Sequence, residues 1–325
     1  MPRVLLRSLL LATTAVAALA AAAPAAAAYP DKPIRLVVPF SAGGTVDVVA
    51  RAVGQQLGRQ LATTVVVENV PGAGGAIATQ RVAKAPADGY TLLFTTPNHT
   101  INPALNDKLP FDPEKNLAPV SLVAQIPELL VASAGQPFSD LAGLVKAARS
   151  QPGQLTYASA GNGTLPHVTM ELLLQRLGIQ LTHVPYKGAA PALNDLLAGQ
   201  VAVKMDTVAT SAAHIRAGRI KPLAIAGLRR SPLMPEVPTI AESGVPGYQG
   251  ILWMGILAPA GTRPELLEQL HRAIAAIARQ PEFLRQLDAG GVEVVASDPA
   301  SFGKQIRDEL RQWAEVVKAS HIKAE

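Results

Sequence analysis

Residues 34–47 read IRLVVPFSAGGTVD, and this stretch decides the fold. Its apolar first half, rich in Val, Ile and Leu, predicts a buried strand over residues 34–40. Apolar residues then recur every three or four positions from Val49 to Leu61, which predicts a helix over residues 47–61 with one face on a sheet. The unit is therefore a strand, a glycine-rich turn and a helix.

The same alternation of apolar runs and helical patterns continues through the chain. Further strands are predicted over residues 64–68, 90–95, 120–133, 155–159, 182–186 and 201–205. Further helices are predicted over residues 75–83, 139–150, 166–177, 190–197, 263–278 and 298–318. Strands that alternate with helices in this way are typical of an α/β fold, in which helices cover both faces of a parallel sheet.

The chain is long enough for two lobes. Single hydrophobic cores stop growing beyond about 250–300 residues, and this chain has 325. The strand over residues 120–133 has the length to cross between lobes, and residues 221–226 are predicted to cross back. We therefore predict a first lobe from residues 29–125 and 226–325, and a second lobe from residues 126–225.

The first 28 residues have the pattern of a secretory signal peptide. Arg3 and Arg7 form the basic start, an alanine-rich apolar run follows, and small residues up to Ala28 form the exit. A spanning helix would instead need about 20 apolar residues and a stop-transfer flank. Cleavage after Ala28 predicts a periplasmic protein, and the absence of cysteine from the sequence predicts that it carries no lipid anchor.

Composition argues against several classes of function. The formal net charge is +5, the basic residues are scattered, and five Tyr, six Phe and two Trp are few for stacking on bases, so no nucleic-acid partner is predicted. With no cysteine and six isolated histidines, neither a metal site nor a cofactor is predicted. The sequence lacks G-x-S-x-G, H-E-x-x-H, P-loop and complete G-x-G-x-x-G motifs, so no catalytic residue and no enzymatic activity are predicted.

Ligands of open α/β sheets bind at the carboxyl ends of strands, where helix N-termini present unpaired N–H groups and partial positive charge. The turn after the first strand allows close backbone approach, because Gly43 and Gly44 carry no side chain, and Asp47 is expected to cap the helix. A tight turn with a helix cap and no ligand explains the same residues. The candidate residues are Phe40, Ser41, Ala42, Gly43, Gly44 and Asp47.

A second glycine-rich turn follows the strand predicted over residues 155–159. Its glycines and hydroxyls, with Pro166 near the start of the next helix, predict a cradle for an oxyanion. A serine-rich turn without a ligand is the alternative, and a histidine such as His167 is more often a capping or packing residue than a catalytic one. The candidate residues are Ser159, Ala160, Gly161, Asn162, Gly163, Thr164 and His167.

A series of short motifs resembles the Bug family, the receptors of tripartite tricarboxylate transporters. The motifs that carry this resemblance are PFSAGGxxD at residues 39–47, ENxPGAGG at 68–75, DGYTLL at 88–93, FDP at 111–113, HVPYKG at 183–188, PTxAE at 238–242 and APAGT at 258–262. Each motif alone is weak. The series follows the family's order and covers essentially the whole chain after the signal peptide.

The resemblance implies a type II-like periplasmic-binding-protein fold, whose two lobes close on a ligand in the cleft between them. It implies that backbone amides and bridging waters bind a small carboxylate: a di- or tricarboxylate, an amino acid or an aromatic acid. By position, both glycine-rich turns contact the ligand, and Asn98 and Asp206 line the cleft and sort substrates. Met205 stands where many relatives have an aromatic residue, which leaves the pocket shape open. Asp206 is an alternative acceptor for the ammonium group of an amino acid.

The implied partners are the membrane subunits of a transporter, and the chain is expected to act as a monomer. Two alternatives remain open at this stage. One is a sensor subunit that delivers its ligand to a membrane kinase. The other is a hydrolase in which His167 is the base for a Ser159 nucleophile, and it predicts turnover of an ester or amide.

Overall fold

A computed structural model describes residues 29–288 and 291–322 of the chain. The predicted signal peptide lies outside the described residues. Among the helices of the described part, none is long and apolar enough to cross a membrane.

Strands and helices alternate along the described residues. The strands are β1 (Ile34–Val38), β2 (Val65–Asn69), β3 (Thr91–Thr95), β4 (Leu117–Ser133), β5 (Thr156–Ser159), β6 (Thr182–Pro185), β7 (Val203–Thr207), β8 (Ile220–Ile225), β9 (Ile251–Pro259) and β10 (Glu293–Val294). The α-helices are α1 (Thr45–Gln60), α2 (Ala76–Ala83), α3 (Asn98–Leu105), α4 (Leu141–Ser150), α5 (Leu165–Leu177), α6 (Ala189–Leu197), α7 (Val208–Arg216), α8 (Pro264–Ile277), α9 (Pro281–Asp288) and α10 (Pro299–Ala319).

The first half of the molecule is built from the strand–turn–helix unit. β1 pairs in parallel with β2 on one side and with β3 on the other. α1 packs on this sheet through Val49, Val53 and Leu57, which are almost completely buried. Burial of one such side chain contributes about 1.5–3 kcal/mol. The predicted strand and helix are confirmed, and the helix begins two residues earlier than predicted, at Thr45.

The second half repeats this arrangement. β5 pairs in parallel with both β6 and β7, so the crossover helices α5 and α6 lie between parallel strands in sequence. Tyr157, Leu173 and Val203 are fully buried in one hydrophobic cluster. The predicted β-α-β-α-β unit in the middle of the chain is confirmed.

β4 runs through both halves. Its residues 117–127 pair antiparallel with β9, and its residues 128–132 pair antiparallel with β7. At the crossing, the N–H of Glu128 donates to the Gly250 carbonyl oxygen (2.8 Å), and the Glu128 carbonyl oxygen accepts from the Ala226 N–H (2.7 Å). The predicted long strand over residues 120–133 is confirmed.

The carboxyl ends of the two sets of parallel strands face each other. β3 is antiparallel to β9 and β9 is antiparallel to β4, so β1, β2 and β3 run in the direction of β4, toward the second half. β7 is antiparallel to β4, so β5, β6 and β7 run toward the first half. The carboxyl ends of both sets therefore point into the interval between the halves.

The strand register gives the length of this interval. Thr95, the last residue of β3, aligns through Gly255 with Leu122 of β4, and Thr207, the last residue of β7, aligns with Glu128. Six residues of extended chain span about 20 Å. The turns of both halves project into an interval of that length.

The helices α3, α7 and α9 lie where the sequence pattern predicted none. These three helices are short, with eight or nine residues each. α3 also contains Pro103, a residue that usually argues against a helix interior. The long helix α10 packs against α3 of the first half and against α5 of the second, so it joins the halves.

Residues 226–250 connect β8 to β9. Ile240, Val245 and Tyr248 of this segment are buried in the same cluster as Leu173 of α5. The segment therefore packs on the second half, although the division made from sequence places it with the first lobe.

Candidate functional site

Asp47 and Asn69 hold the turn after β1. Asp47 Oδ2 accepts from the backbone N–H of Gly43 (2.9 Å), and Asp47 Oδ1 accepts from Asn69 Nδ2 (2.8 Å). The same Asn69 amide donates to the carbonyl oxygen of Phe40 (3.0 Å). Arg51 Nε lies 3.0 Å from Asp47 Oδ2. The buried carboxylate of Asp47 thus holds the backbone of this turn in place.

Asp47 does not occupy the capping position that the sequence predicted. α1 begins at Thr45 with Gly44 as its N-cap, so Asp47 lies in the first helical turn and its side chain reaches back to Gly43. The hydrogen bond from Arg51 is the largest cause that lowers the pKa of Asp47 to about 2, although burial opposes it. Asp47 is therefore a charged acceptor beneath the turn, and the sequence missed its partner Asn69.

The backbone of this turn is open to solvent. Ser41, Ala42, Gly43 and Gly44 are all exposed, and a Cβ added to either glycine would meet no atom within 4 Å. The N–H groups in the first turn of the 16-residue α1 have no partner within the helix. This turn therefore presents backbone donors, at the positive end of a helix dipole, to accessible space.

The turn after β5 is held together by Ser159. This side chain is fully buried, and its Oγ accepts from the Gly161 N–H (3.1 Å) and donates to the Gly161 carbonyl oxygen (3.0 Å). Ser159 Oγ also lies 2.7 Å from His183 Nε2. Because a hydroxyl has one proton, all three contacts are satisfied when His183 Nε2–H donates to Ser159.

His167 holds the same turn from the helix side. Its Nδ1 accepts from the N–H of Gly163 (3.0 Å), which requires a ring without a proton on Nδ1. Its ring stacks on the ring of His183 with the centroids 3.8 Å apart, and His183 stacks on Tyr157. Burial, with a smaller effect of His183, lowers the pKa of His167 to about 3, and burial lowers the pKa of His183 to about 4.

This geometry differs from the base–nucleophile pair of the hydrolase alternative. Ser159 is hydrogen-bonded to His183, and Nδ1 of His167 is occupied by Gly163. The predicted action of His167 on Ser159 is therefore wrong. No sequence signal pointed to His183, because 24 residues separate it from Ser159 and only the parallel pairing of β5 with β6 brings the two together.

We expect the double variant His167→Gln/His183→Gln to be less sensitive to mild acid. Histidines with a lowered pKa contribute stability that is complete above pH 6.5 and is lost as the pH falls through about 4 and 3, because the unfolded chain binds protons first. With a reduction for the partial exposure of His183, the wild type should lose about 2–3 kcal/mol more than the variant between pH 7.5 and pH 5. Urea unfolding at both pH values measures this difference, and equal losses would contradict it.

Asn98 lies at the start of α3, and its side chain points to a third loop, which follows β2. Asn98 Nδ2 and Asn102 Nδ2 both donate to the carbonyl oxygen of Gly74, at 3.1 and 2.9 Å. A Cβ added to Gly75 would lie 3.0 Å from Cβ of Pro39, which directly follows β1. The loop after β2 is thus packed against the turn after β1.

The helix α3 links the loops of the first half to the turn after β5. A Cβ added to Gly163 would lie 2.1 Å from Cδ1 of Leu105, the last residue of α3. Ile101 of the same helix belongs to the hydrophobic cluster that contains Leu165, the first residue of α5. One short helix therefore touches the strand-end loops of both halves.

The carboxylate of Asp206, at the end of β7, is surrounded by donors. Its Oδ1 accepts from the N–H of Thr207 (2.9 Å) and from the hydroxyl of Thr210 (2.7 Å), and lies 3.0 Å from Nζ of Lys204. Its Oδ2 accepts from the hydroxyl of Ser211 (3.1 Å). Asp206 is a predicted site residue, whereas no role is predicted for its buried partner Lys204.

The structure places the candidate residues in two groups, at the opposed strand ends. Phe40 to Asp47 and Asn98 follow β1 and β3, whereas the residues from Ser159 to His167 and Asp206 belong to the ends of β5 and β7. Four of the candidates have buried side chains that bond to the protein itself and position backbone; these are Asp47, Ser159, His167 and Asp206.

Comparison with known proteins assigns the family. Residues 49–322 match the model of the tripartite tricarboxylate transporter family receptor, TctC. The chain is 37% identical over 298 residues to a Pseudomonas sp. protein described as the UPF0065 protein in the tcbD-tcbE intergenic region, covering 91% of this chain and 89% of that one. It is 35% identical over 297 residues to Protein BugT of Bordetella pertussis, covering 91% of each. This chain belongs to the TctC family of tripartite tricarboxylate transporter receptors.

Solved structures with the same fold include two with bound carboxylates. The R. palustris protein Rpa4515 with adipate has a TM-score of 0.79 at 35% identity, covering 91% of this chain and 99% of that one. MatC from Rhodopseudomonas palustris with bound malate has a TM-score of 0.76 at 33% identity, covering 89% of this chain and 100% of that one. The α/β fold is thus that of a periplasmic solute-binding protein, as the resemblance implied.

Proposed function

We propose that this chain captures a small carboxylate between its two halves and delivers it to the membrane subunits of a tripartite tricarboxylate transporter. The orientation of the strands carries the proposal, because both sets of carboxyl ends point into one interval. Helix N-termini follow these strands on both sides, and such termini stabilise anions. The adipate and malate bound by similar proteins support a dicarboxylate ligand.

The first half provides most of the backbone donors in this proposal. The N–H groups of Thr45 and Val46 lie in the first turn of α1, next to the exposed glycines. In the turn after β5, the N–H groups of Gly161, Gly163 and Thr164 already bond within the turn or to its supporting helix. That turn therefore forms a rigid wall of the proposed site.

The two halves act as lobes that move about the crossing at Glu128, Ala226 and Gly250, with residues 226–250 following the second lobe. The protein works in the periplasm, as a monomer, after cleavage behind Ala28. Members of the family are solute-binding receptors, and we assign no catalytic reaction to this chain.

Gly44→Val tests the proposed anion site. Gly44 has an ordinary φ of −79° and open space where a Cβ would lie, so valine should block the ligand without straining the turn. We expect the affinity for adipate or malate, measured by calorimetry, to fall at least about tenfold, which corresponds to 1.4 kcal/mol.

Gly135→Val is the matched control for this substitution. Gly135 also has open space around a new Cβ, but it lies beyond the far end of β4. This control should bind like the wild type. Unchanged affinity in Gly44→Val would refute the proposed site, and the absence of binding to a broad panel of carboxylates in the wild type would refute the proposed function.

A further inference from the structure

Lys204 and Asp206 form an ion pair in the interior of the second half. Lys204 is 1% exposed and Asp206 is 6% exposed. Both lie on β7, two residues apart, so their side chains are on the same face of the sheet. Lys204 Nζ lies 3.0 Å from Asp206 Oδ1 and donates to the carbonyl oxygen of Met205, also at 3.0 Å.

Four donors contact the Asp206 carboxylate. Oδ1 faces the N–H of Thr207, the hydroxyl of Thr210 and the ammonium of Lys204, and Oδ2 accepts from the hydroxyl of Ser211. The Thr210 hydroxyl is closer to Asp206 (2.7 Å) than to the hydroxyl (2.9 Å) or the carbonyl oxygen (3.1 Å) of Thr207. The charge of Asp206 is thus already balanced within the protein by the ammonium of Lys204.

We propose that Lys204 is a specificity-determining residue, because its ammonium occupies the place at Asp206 that the ammonium of an amino-acid ligand would need. The site therefore takes carboxylates that lack an α-ammonium group and discriminates against amino acids. This inference rests on the proposed function and decides between two of the ligand classes that the sequence left open.

The physical basis is the cost of a second cation beside Lys204. An ammonium group gains affinity in a site when an anion is available to pair with it, and it loses affinity beside a like charge. Lys204 cannot turn away to release Asp206, since it is enclosed in the interior. Glu128 is a further carboxyl group in electrostatic range of both side chains, and it is itself buried and hydrogen-bonded to Thr169.

The test uses ligand pairs that differ by one amino group. Calorimetry with adipate against 2-aminoadipate, and with succinate against aspartate, gives a ratio of affinities for each pair. In the wild type, the compound without the amino group should bind at least about tenfold more tightly, the factor that 1.4 kcal/mol represents.

Substitutions of Lys204 should change this ratio in a defined way. Lys204→Met removes the competing ammonium and leaves Asp206 as an anionic acceptor, so the ratio should fall at least about tenfold. Lys204→Gln keeps a neutral donor beside Asp206, and it should also lower the ratio. This variant replaces the methionine variant in the test if the latter does not fold. The conservative Lys204→Arg should retain the wild-type ratio, and so should the double variant Lys204→Met/Asp206→Asn, which has no anionic acceptor.

The outcomes separate this inference from the proposed function. Equal binding of both members of each pair by the wild type would overturn the inference alone. An unchanged ratio in the neutral variants of Lys204 would also overturn it. If no member of either pair binds to the wild type, the proposed function fails and the inference fails with it.

Discussion

Glu128→Gln should increase the free energy of unfolding by about 3 kcal/mol at pH 8, since one pKa unit corresponds to about 1.4 kcal/mol. Glu128 is 3% exposed at the crossing of β4 between the halves. Burial is the main cause that raises its pKa from 4.5 to about 7, and the hydrogen bond from Thr169 only partly opposes it. The Oε2 atom of Glu128 accepts from the Thr169 hydroxyl at 2.6 Å, a bond that a glutamine carbonyl retains.

The pH dependence identifies the cause of this gain. Below pH 4.5 the Glu128 carboxyl is protonated in both the folded and the unfolded chain, so it costs nothing. As the pH rises from 4.5 to about 7, only the unfolded chain ionises at this position, and stability is lost until the folded chain ionises as well. The gain of Glu128→Gln should therefore be near zero at pH 4.5 and complete at pH 8.

Urea unfolding at pH 4.5 and pH 8 measures both values. Glu114→Gln is the control, because Glu114 is exposed on a loop and its substitution should change stability little at either pH. A gain of the same size at both pH values would show that the effect comes from packing and not from ionisation. The absence of any gain at pH 8 would contradict the assignment of a raised pKa.

The sequence predicted the parallel units because their strands are continuous apolar runs. All residues of Thr91–Thr95 are buried, and so are those of Ile34–Val38 except Arg35. Such strands can be identified without tertiary information. The helix α3 could not be identified in this way, since its residues NHTINPAL have no clear apolar period. Its helical state depends on packing against α10 and on contacts such as that between Asn98 and Gly74.

For the candidate site, the sequence predicted the positions but not the roles of the polar side chains. The glycines at 43 and 44 are open backbone, as their lack of side chains suggested. The sequence suggests that Ser159 and His167 bind a ligand. In the structure, both side chains instead form hydrogen bonds that hold the turn in which they lie. Hydrogen bonds between residues distant in sequence decide such roles, and a single sequence contains no record of them.

One missed feature did have a local signal. Lys204 and Asp206 are two residues apart in a strand, and the period of a strand places both side chains on one face. Two opposite charges on one face of a buried strand predict an ion pair, because an unpaired charge in the interior is costly. The same rule does not apply to Asp47 and Asn69. These residues are 22 positions apart in sequence, and the pairing of β1 with β2 brings them into contact.

Asp47→Ala should destabilise the fold by about 3 kcal/mol, in the range for breaking a buried charged hydrogen-bond network, and should weaken ligand binding. Three donors lose their acceptor in this variant: the N–H of Gly43, Arg51 Nε and Asn69 Nδ2. Asn69 also holds the carbonyl oxygen of Phe40, so both ends of the turn are released together. We expect an affinity loss of at least about tenfold for adipate or malate, because the free turn must be ordered again at each binding event.

Asp47→Asn separates the charge of this side chain from its shape. An asparagine carbonyl can still accept from Gly43, whereas the charge-assisted bond with Arg51 is lost, so the stability loss should be roughly half that of the alanine variant. The wild type itself should lose the contribution of Asp47 only in strong acid, as the pH falls from 3.8 through about 2, because the lowered pKa keeps the folded carboxylate ionised above that range. Chemical unfolding and calorimetry on the three proteins test this order. Wild-type affinity in Asp47→Ala would show that the turn after β1 binds the ligand without the hydrogen bonds of Asp47, or does not bind it. The anion site would then have to be assigned to another loop.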